Sequence, residues 1–240
     1  MINFNRKNKR AFTLIEISIV LVIIGIILAS VMKGRDMIKS SQIKEFNQVF
    51  VSQWETIANS YFSRMGAVLE DGGANGGAVG TTTTDGFMDN EAIGTDTKAI
   101  LVVDALKTAG IDPCTLVKSD ISSTTDYGCQ ETPGDSTLNV FQRTVDGEYV
   151  GKSTVQLLFA NIKIDGKLKN ALVFTGMPED VAQALDTIRD GSPNGKTGTV
   201  LRVAAVTNIG GTTKAATDSG TSSWDGDATS TTNMVILLEH

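Results

Sequence analysis

The 240-residue sequence predicts an α+β protein: one long N-terminal α-helix, transmembrane over its first half, packed on an antiparallel β-sheet head. Three observations predict it. Residues 12–32 form a near-continuous apolar run, residues 43–65 carry one apolar stripe at helical spacing, and two Asp-Gly pairs divide apolar runs after Leu138.

The first run, FTLIEISIVLVIIGIILASVM from Phe12 to Met32, is 21 residues long, about 31 Å as a helix and close to the hydrocarbon thickness of a bilayer. Arg6, Lys7, Lys9 and Arg10 precede it without an acid among residues 1–11. That cluster orients the N-terminus toward the cytoplasm and the rest of the chain outward. A plain signal anchor is one reading of such a segment; a secretory signal cleaved near Ala29 or Ser30 is another. Neither explains Glu16, because an acid inside a membrane span costs at least about 2.5 kcal/mol and marks function.

Beyond the span the helical pattern continues. Ile43, Phe46, Phe50, Trp54, Ile57, Tyr61 and Met65 are spaced 3, 4, 4, 3, 4 and 4, which draws one stripe along a straight helix. Lys44, Gln48, Gln53, Glu55 and Asn59 lie opposite and read as solvated. No Pro occurs between Phe12 and Met65, so one rod of about 80 Å is expected. Its apolar first half belongs in lipid or a protein core, and its one-sided second half docks on the head. Gly66, with Gly72, Gly73, Gly76 and Gly77 following, ends the helix and opens a flexible loop.

Residues 67–97 are Gly/Thr-rich and read as irregular. Lys98–Ala109 reads as a helix capped by Thr95 or Asp96 and stopped at Gly110. Strands are expected over Leu138–Val145, Glu148–Ile164 and Lys167–Thr175, joined by Asp146-Gly147 and Asp165-Gly166 as tight hairpin turns. Pro178-Glu179-Asp180 opens a helix whose buried face is Val181, Ala182, Leu185 and Ile188. Thr199–Thr207 and Met234–Leu238 complete the strands. The organisation expected is a basic leader 1–11, a helix 12–66, a head 67–237, and a purification-tag remnant 238–240, since Leu-Glu-His is how a common tag begins.

Composition excludes several function classes. Net charge is −6, and the remainder without the four leader cations holds 17 Lys+Arg against 27 Asp+Glu. A head that acidic is a poor partner for nucleic acid, which needs clustered cations. Cys114 and Cys129 have no His or further Cys to form a zinc site. Outside the cytoplasm they read as a disulfide, and in a reducing compartment as two thiols. No nucleophile–base pair, phosphate loop or carboxylate pair stands in a recognisable motif, so no enzyme is expected. Asp218, Asp225 and Asp227 form an oxygen-rich loop that is a weak calcium candidate, without the spacing of an EF-hand. Asp186, Asp190 and Asn194 read as cap or turn residues. No Asn-x-Ser/Thr acceptor is present, so any sugar on the Ser/Thr runs would be O-linked.

Arg10-Ala11-Phe12-Thr13-Leu14-Ile15-Glu16 and the apolar run after it resemble the class III signal of type IV pilins and pseudopilins. The resemblance covers roughly the first 50 residues and implies a prepilin: an inner-membrane precursor, stored with its N-terminus cytoplasmic. It implies a peptidase that cuts between Ala11 and Phe12 and methylates the new amino group of Phe12. Ala11 stands where the family usually has Gly, and Lys33 where many members have a helix-kinking Pro. Glu16, the fifth residue after the cut, would pair with the Phe12 amine of a neighbouring copy. The partners implied are other copies or related pilins, the prepilin peptidase, an inner-membrane assembly platform, and lipid before assembly. The product is an extracellular pilus or, as the alternative, the periplasmic pseudopilus of a type II secretion system.

Overall fold

The computed structural model describes residues 13–77, 84–89, 96–130, 136–203, 221–224, 226 and 229–239. The chain divides into two compact units, Met1–Gln42 and Ile43–His240, and the division falls inside the first helix.

Helix α1 is Leu14–Phe46. It passes through Gly25 and Gly34 without a break, and a Cβ at either glycine would meet nothing within 4 Å. Apolar residues dominate it from Leu14 to Met32, where its backbone bonds are internal, as lipid requires. A π-helical turn, Asn47–Val51, follows directly, then α2, Ser52–Met65. The straight α-helix expected from the 3-and-4 spacing therefore contains one irregular turn. The apolar stripe is real over Ile43, Phe46, Phe50, Trp54, Ile57 and Tyr61, all buried, but Met65 is exposed. It lies in the last turn, next to Gly66, which caps the helix in the left-handed conformation at φ 66°.

The segment after Gly66 is more ordered than its glycines suggest. Val68, Leu69, Glu70, Asp71 and Asn75 are buried, and Gly73–Asn75 forms a 3₁₀ turn. Asn75 accepts from Tyr61 Oη at 2.9 Å and donates to the Asp71 carbonyl at 2.8 Å. The Asp71 carboxylate holds the amides of Asp85 and Gly86. Buried polar groups of the same segment thus fold it back on itself, where composition alone predicted a loose loop. Helix α3, Asp96–Thr108, follows, and then the one-turn α4, Pro113–Leu116, capped by Asp112 Oδ1 accepting from the Cys114 amide at 3.1 Å.

A two-stranded ribbon, β1 (Ser122–Ser123) with β2 (Thr137–Leu138), precedes the main sheet. The sheet holds β3 (Gln142–Gly147), β4 (Gly151–Ile164), β5 (Lys167–Pro178), β6 (Val200–Val203) and β7 (Thr231–Leu237). It is antiparallel throughout, in the order β3-β4-β5-β7-β6. Asp165-Gly166 is the two-residue turn expected, with both φ values positive (51° and 76°) between the paired Ile164 and Lys167. Asp146-Gly147 is not. Both residues lie inside β3, Gly147 pairs with Gly151, and the turn is Glu148–Val150. A Cβ on Gly147 would stand 2.7 Å from Pro178 Cβ, so this glycine serves close packing and not a turn.

One face of the sheet packs on α2 and on the π-helical turn before it. Trp54 stacks on Phe141 at 5.1 Å and meets Phe159 edge-on at 5.7 Å, and Phe50 meets Phe174 edge-on at 6.0 Å. Helix α5, Glu179–Asp190, adds Val181, Ala182 and Leu185 to the same core. Ile188, expected there, is exposed, and Asp186 is buried instead. The opposite face carries a second buried cluster of Leu158, Ala160, Ile162, Ile164, Ala171, Val173, Leu201, Val203 and Val235. Burial on both faces accounts for the continuous apolar run in β4, which would alternate if one face met water. Leu238 is also in the core, and its amide donates to the Asn170 carbonyl at 2.9 Å.

Candidate functional site: the N-terminal helix

The head positions side chains, but the distinctive chemistry lies at the start of α1. Thr13 is the residue before the helix and Glu16 is three positions on. The Thr13 amide and hydroxyl both donate to Glu16 Oε2 at 2.8 Å, and the Glu16 amide approaches Thr13 Oγ1 at 3.4 Å. This is a reciprocal capping box, in which two otherwise unbonded helix-start amides find side-chain oxygens. The sequence signal was legible as Thr13-x-x-Glu16, and reading Glu16 only as a membrane-stranded acid misses it. Ser18 and Ser30 likewise donate to carbonyls of their own helix, Ile15 and Ile26, at 2.8 Å each. Each polar side chain of residues 13–32 in this helix therefore has an internal partner.

The apolar side chains do not. Leu14, Ile15 and the Ile, Val and Leu residues on to Val31 are all exposed, Leu14 at 88%. The helix is long and apolar enough to cross a membrane, and none of its apolar window is buried against the protein. A surface of this size and character requires lipid or other protein around it.

Ala11 and Phe12 lie outside the described residues, as do Asp218, Asp225 and Asp227. Among the described residues no group of three or more His, Cys, Asp or Glu side chains could hold a metal ion. The other polar residues singled out by the sequence, Asp186, Asp190 and Asn194, have hydrogen-bond partners within the head. Asp190 accepts from the Thr199 and Val200 amides at 2.9 Å each, and Asn194 Oδ1 accepts from the Lys196 and Thr197 amides at 2.8 and 2.9 Å. Asp186 Oδ2 accepts from the Gly195 amide and from Trp224 Nε1 at 3.0 and 2.8 Å. These are turn and loop anchors. Glu179, expected to complement the dipole of α5, is fully buried and accepts from the Gly226 amide at 2.7 Å.

Cys114 and Cys129 form a disulfide with Cα atoms 5.5 Å apart. It ties α4 to the connection between β1 and β2, and Lys107 Nζ adds a bond to the Gly128 carbonyl at 2.8 Å.

Comparison with known families agrees with the N-terminal chemistry. Residues 6–32 match the prokaryotic N-terminal methylation motif, the class III signal of type IV pilins and pseudopilins. The long helix followed by a five-stranded antiparallel sheet is a pilin-like α+β architecture. The match ends at Met32 and leaves the head unclassified. No curated protein and no solved structure matches the chain.

Proposed function

We propose that this chain is the structural subunit of a type IV pilus, stored in the inner membrane as a prepilin and polymerised through α1. The observation that carries the reading is the exposed apolar surface of α1 joined to the methylation motif over residues 6–32. A lipid-soluble helix on a folded head is what a subunit needs if it waits in a bilayer and then buries that helix among copies of itself. Cleavage between Ala11 and Phe12, with methylation of Phe12, creates the cationic end group that Glu16 of an adjacent copy meets. Other copies or related pilins, the prepilin peptidase and an inner-membrane platform are the partners. The chain acts as a building element and not as a catalyst.

The pseudopilin of a type II secretion system shares every N-terminal feature, so two experiments test the reading in sequence. Mass determination of the protein from native membranes and fibres should find a methylated Phe12 as first residue; retention of residues 1–11 in assembled material overturns the whole reading. Electron microscopy of sheared surface fibres should then show long fibres containing this chain. Their absence alongside correct processing favours the pseudopilus.

A further inference from the structure

Asn47–Val51 is π-helical, closed by the Ser52 amide donating to the Asn47 carbonyl five residues back. A π turn holds one residue more than an α turn and often sits at functional positions. Here a side chain from a distant helix grips it. Arg189, in the last turn of α5, donates from Nη2 to Ser52 Oγ at 2.9 Å and to Asn47 Oδ1 at 3.3 Å. Its Nε approaches Asn47 Oδ1 at 3.4 Å, and its Nη1 pairs with Glu55 Oε2 at 2.7 Å.

Asn47 and Ser52 are five residues apart. In an α-helix five residues turn by about 500°, which leaves the two side chains about 140° apart around the axis, beyond the reach of one planar guanidinium. In the π turn they stand one above the other, and Ser52 Oγ itself lies 3.5 Å from Asn47 Oδ1. The extra residue also shows in the core, where the consecutive Phe50 and Val51 are both fully buried. The guanidinium fork therefore distinguishes two registers of the same helix, and only a group with such a difference in contacts can bias one over the other.

We propose that Arg189 is a register lock, a positioning residue that holds the Asn47–Val51 joint in its π form, and that the joint closes to α when the fork is withdrawn. One residue more or less in the turn rotates the preceding helix by about 100° around its axis. The state of the joint thus sets whether Ile43 and Phe46, just before it, face the core in which both are buried.

The test uses the full chain in detergent micelles, with residue-resolved amide exchange and hydrogen-bond scalar couplings. Arg189→Met should speed exchange of the amides of residues 51–55 by about tenfold and move the Ser52 amide from the Asn47 to the Gln48 carbonyl, while β4 and β5 keep their rates. Arg189→Lys retains a cation for Glu55 but has no fork, and should behave like the Met variant. The lock is overturned if Arg189→Lys keeps wild-type exchange and bonding, which is a plain ion pair. It is equally overturned if Arg189→Met loosens β4 and β5 as much as residues 51–55, or changes nothing. No filament enters these measurements, so failure of the assembly reading and failure of the lock are separate results.

Discussion

Trp54 Nε1 donates to the carbonyl of Val140 at 3.0 Å, across 86 positions of sequence, while the indole ring stacks on Phe141. One side chain thus fastens α2 to the start of the sheet by a polar and an apolar contact together. Both partners are buried. Trp54→Ala removes the packing and should cost about 3–5 kcal/mol. Trp54→Phe keeps most of the ring but leaves the Val140 carbonyl without its donor, and should cost about 1–3 kcal/mol. Urea denaturation followed by far-ultraviolet circular dichroism checks both, and a Trp54→Phe variant as stable as the wild type would remove the polar contribution.

Tyr61 sets a pH limit on the head. Its hydroxyl is buried against Asn75 Oδ1, and burial raises the phenol above its ordinary value of 10.0. The unfolded chain then loses this proton at lower pH than the folded one. The group's contribution is complete below pH 10 and declines as pH climbs from there through the raised folded value. The melting temperature of the wild type should fall between pH 9 and 11 more steeply than that of Tyr61→Phe; parallel curves would show that Tyr61 has no part in the alkaline loss.

The Cys114–Cys129 bond spans 15 positions. Cross-linking a loop of that size contributes about 3 kcal/mol through the unfolded chain. A Cys114→Ser/Cys129→Ser double variant should lose that stability and gain tryptic cleavage after the exposed Lys118. Unchanged cleavage would mean that the Asp112 cap and the Lys107 bond to Gly128 hold the loop unaided.

Substitution separates the capping contact of Glu16 with Thr13 from its proposed part in assembly. Glu16→Gln retains the oxygen that accepts from Thr13 but carries no charge, so the helix start should stay ordered while incorporation into fibres fails. Glu16→Ala should lose both, with the protein still inserted in the membrane and processed. Thr13→Ala removes the hydroxyl half of the capping box at a helix-start cost of about 1 kcal/mol. Fibre yield in cells lacking the wild-type chain, with amide exchange at residues 14–17, reads the two roles independently. Normal fibres from Glu16→Gln would exclude the charge from assembly.

Much of the architecture was legible without coordinates. The membrane-length run, the helical stripe from Ile43 to Tyr61, the left-handed Gly66 cap and the Asp165-Gly166 turn are local signals. Each is written in residues whose own backbone preference or periodicity agrees with the final fold. The N-terminal motif is similar: Thr13, Glu16 and the apolar residues act within one helix, so spacing suffices to find them.

What escaped the sequence depends on groups far apart along the chain. Asp146-Gly147 and Asp165-Gly166 look alike, yet only the second turns, because Pro178 and Asp180 pack against Gly147 and the Glu148 amide donates to Asp180 Oδ2 at 2.8 Å. Glu55 reads as a solvated acid until Arg189 arrives from 134 positions away, and the π turn it borders has no signature in a 3-and-4 pattern. The sequence by itself determined that this chain has a lipid-soluble helix with one acid near its start, since those properties belong to single residues and their spacing. Tertiary structure decided the helix register, the true hairpin turn and the fate of the buried acids, because each is a choice between local states of similar energy that only a remote contact can bias.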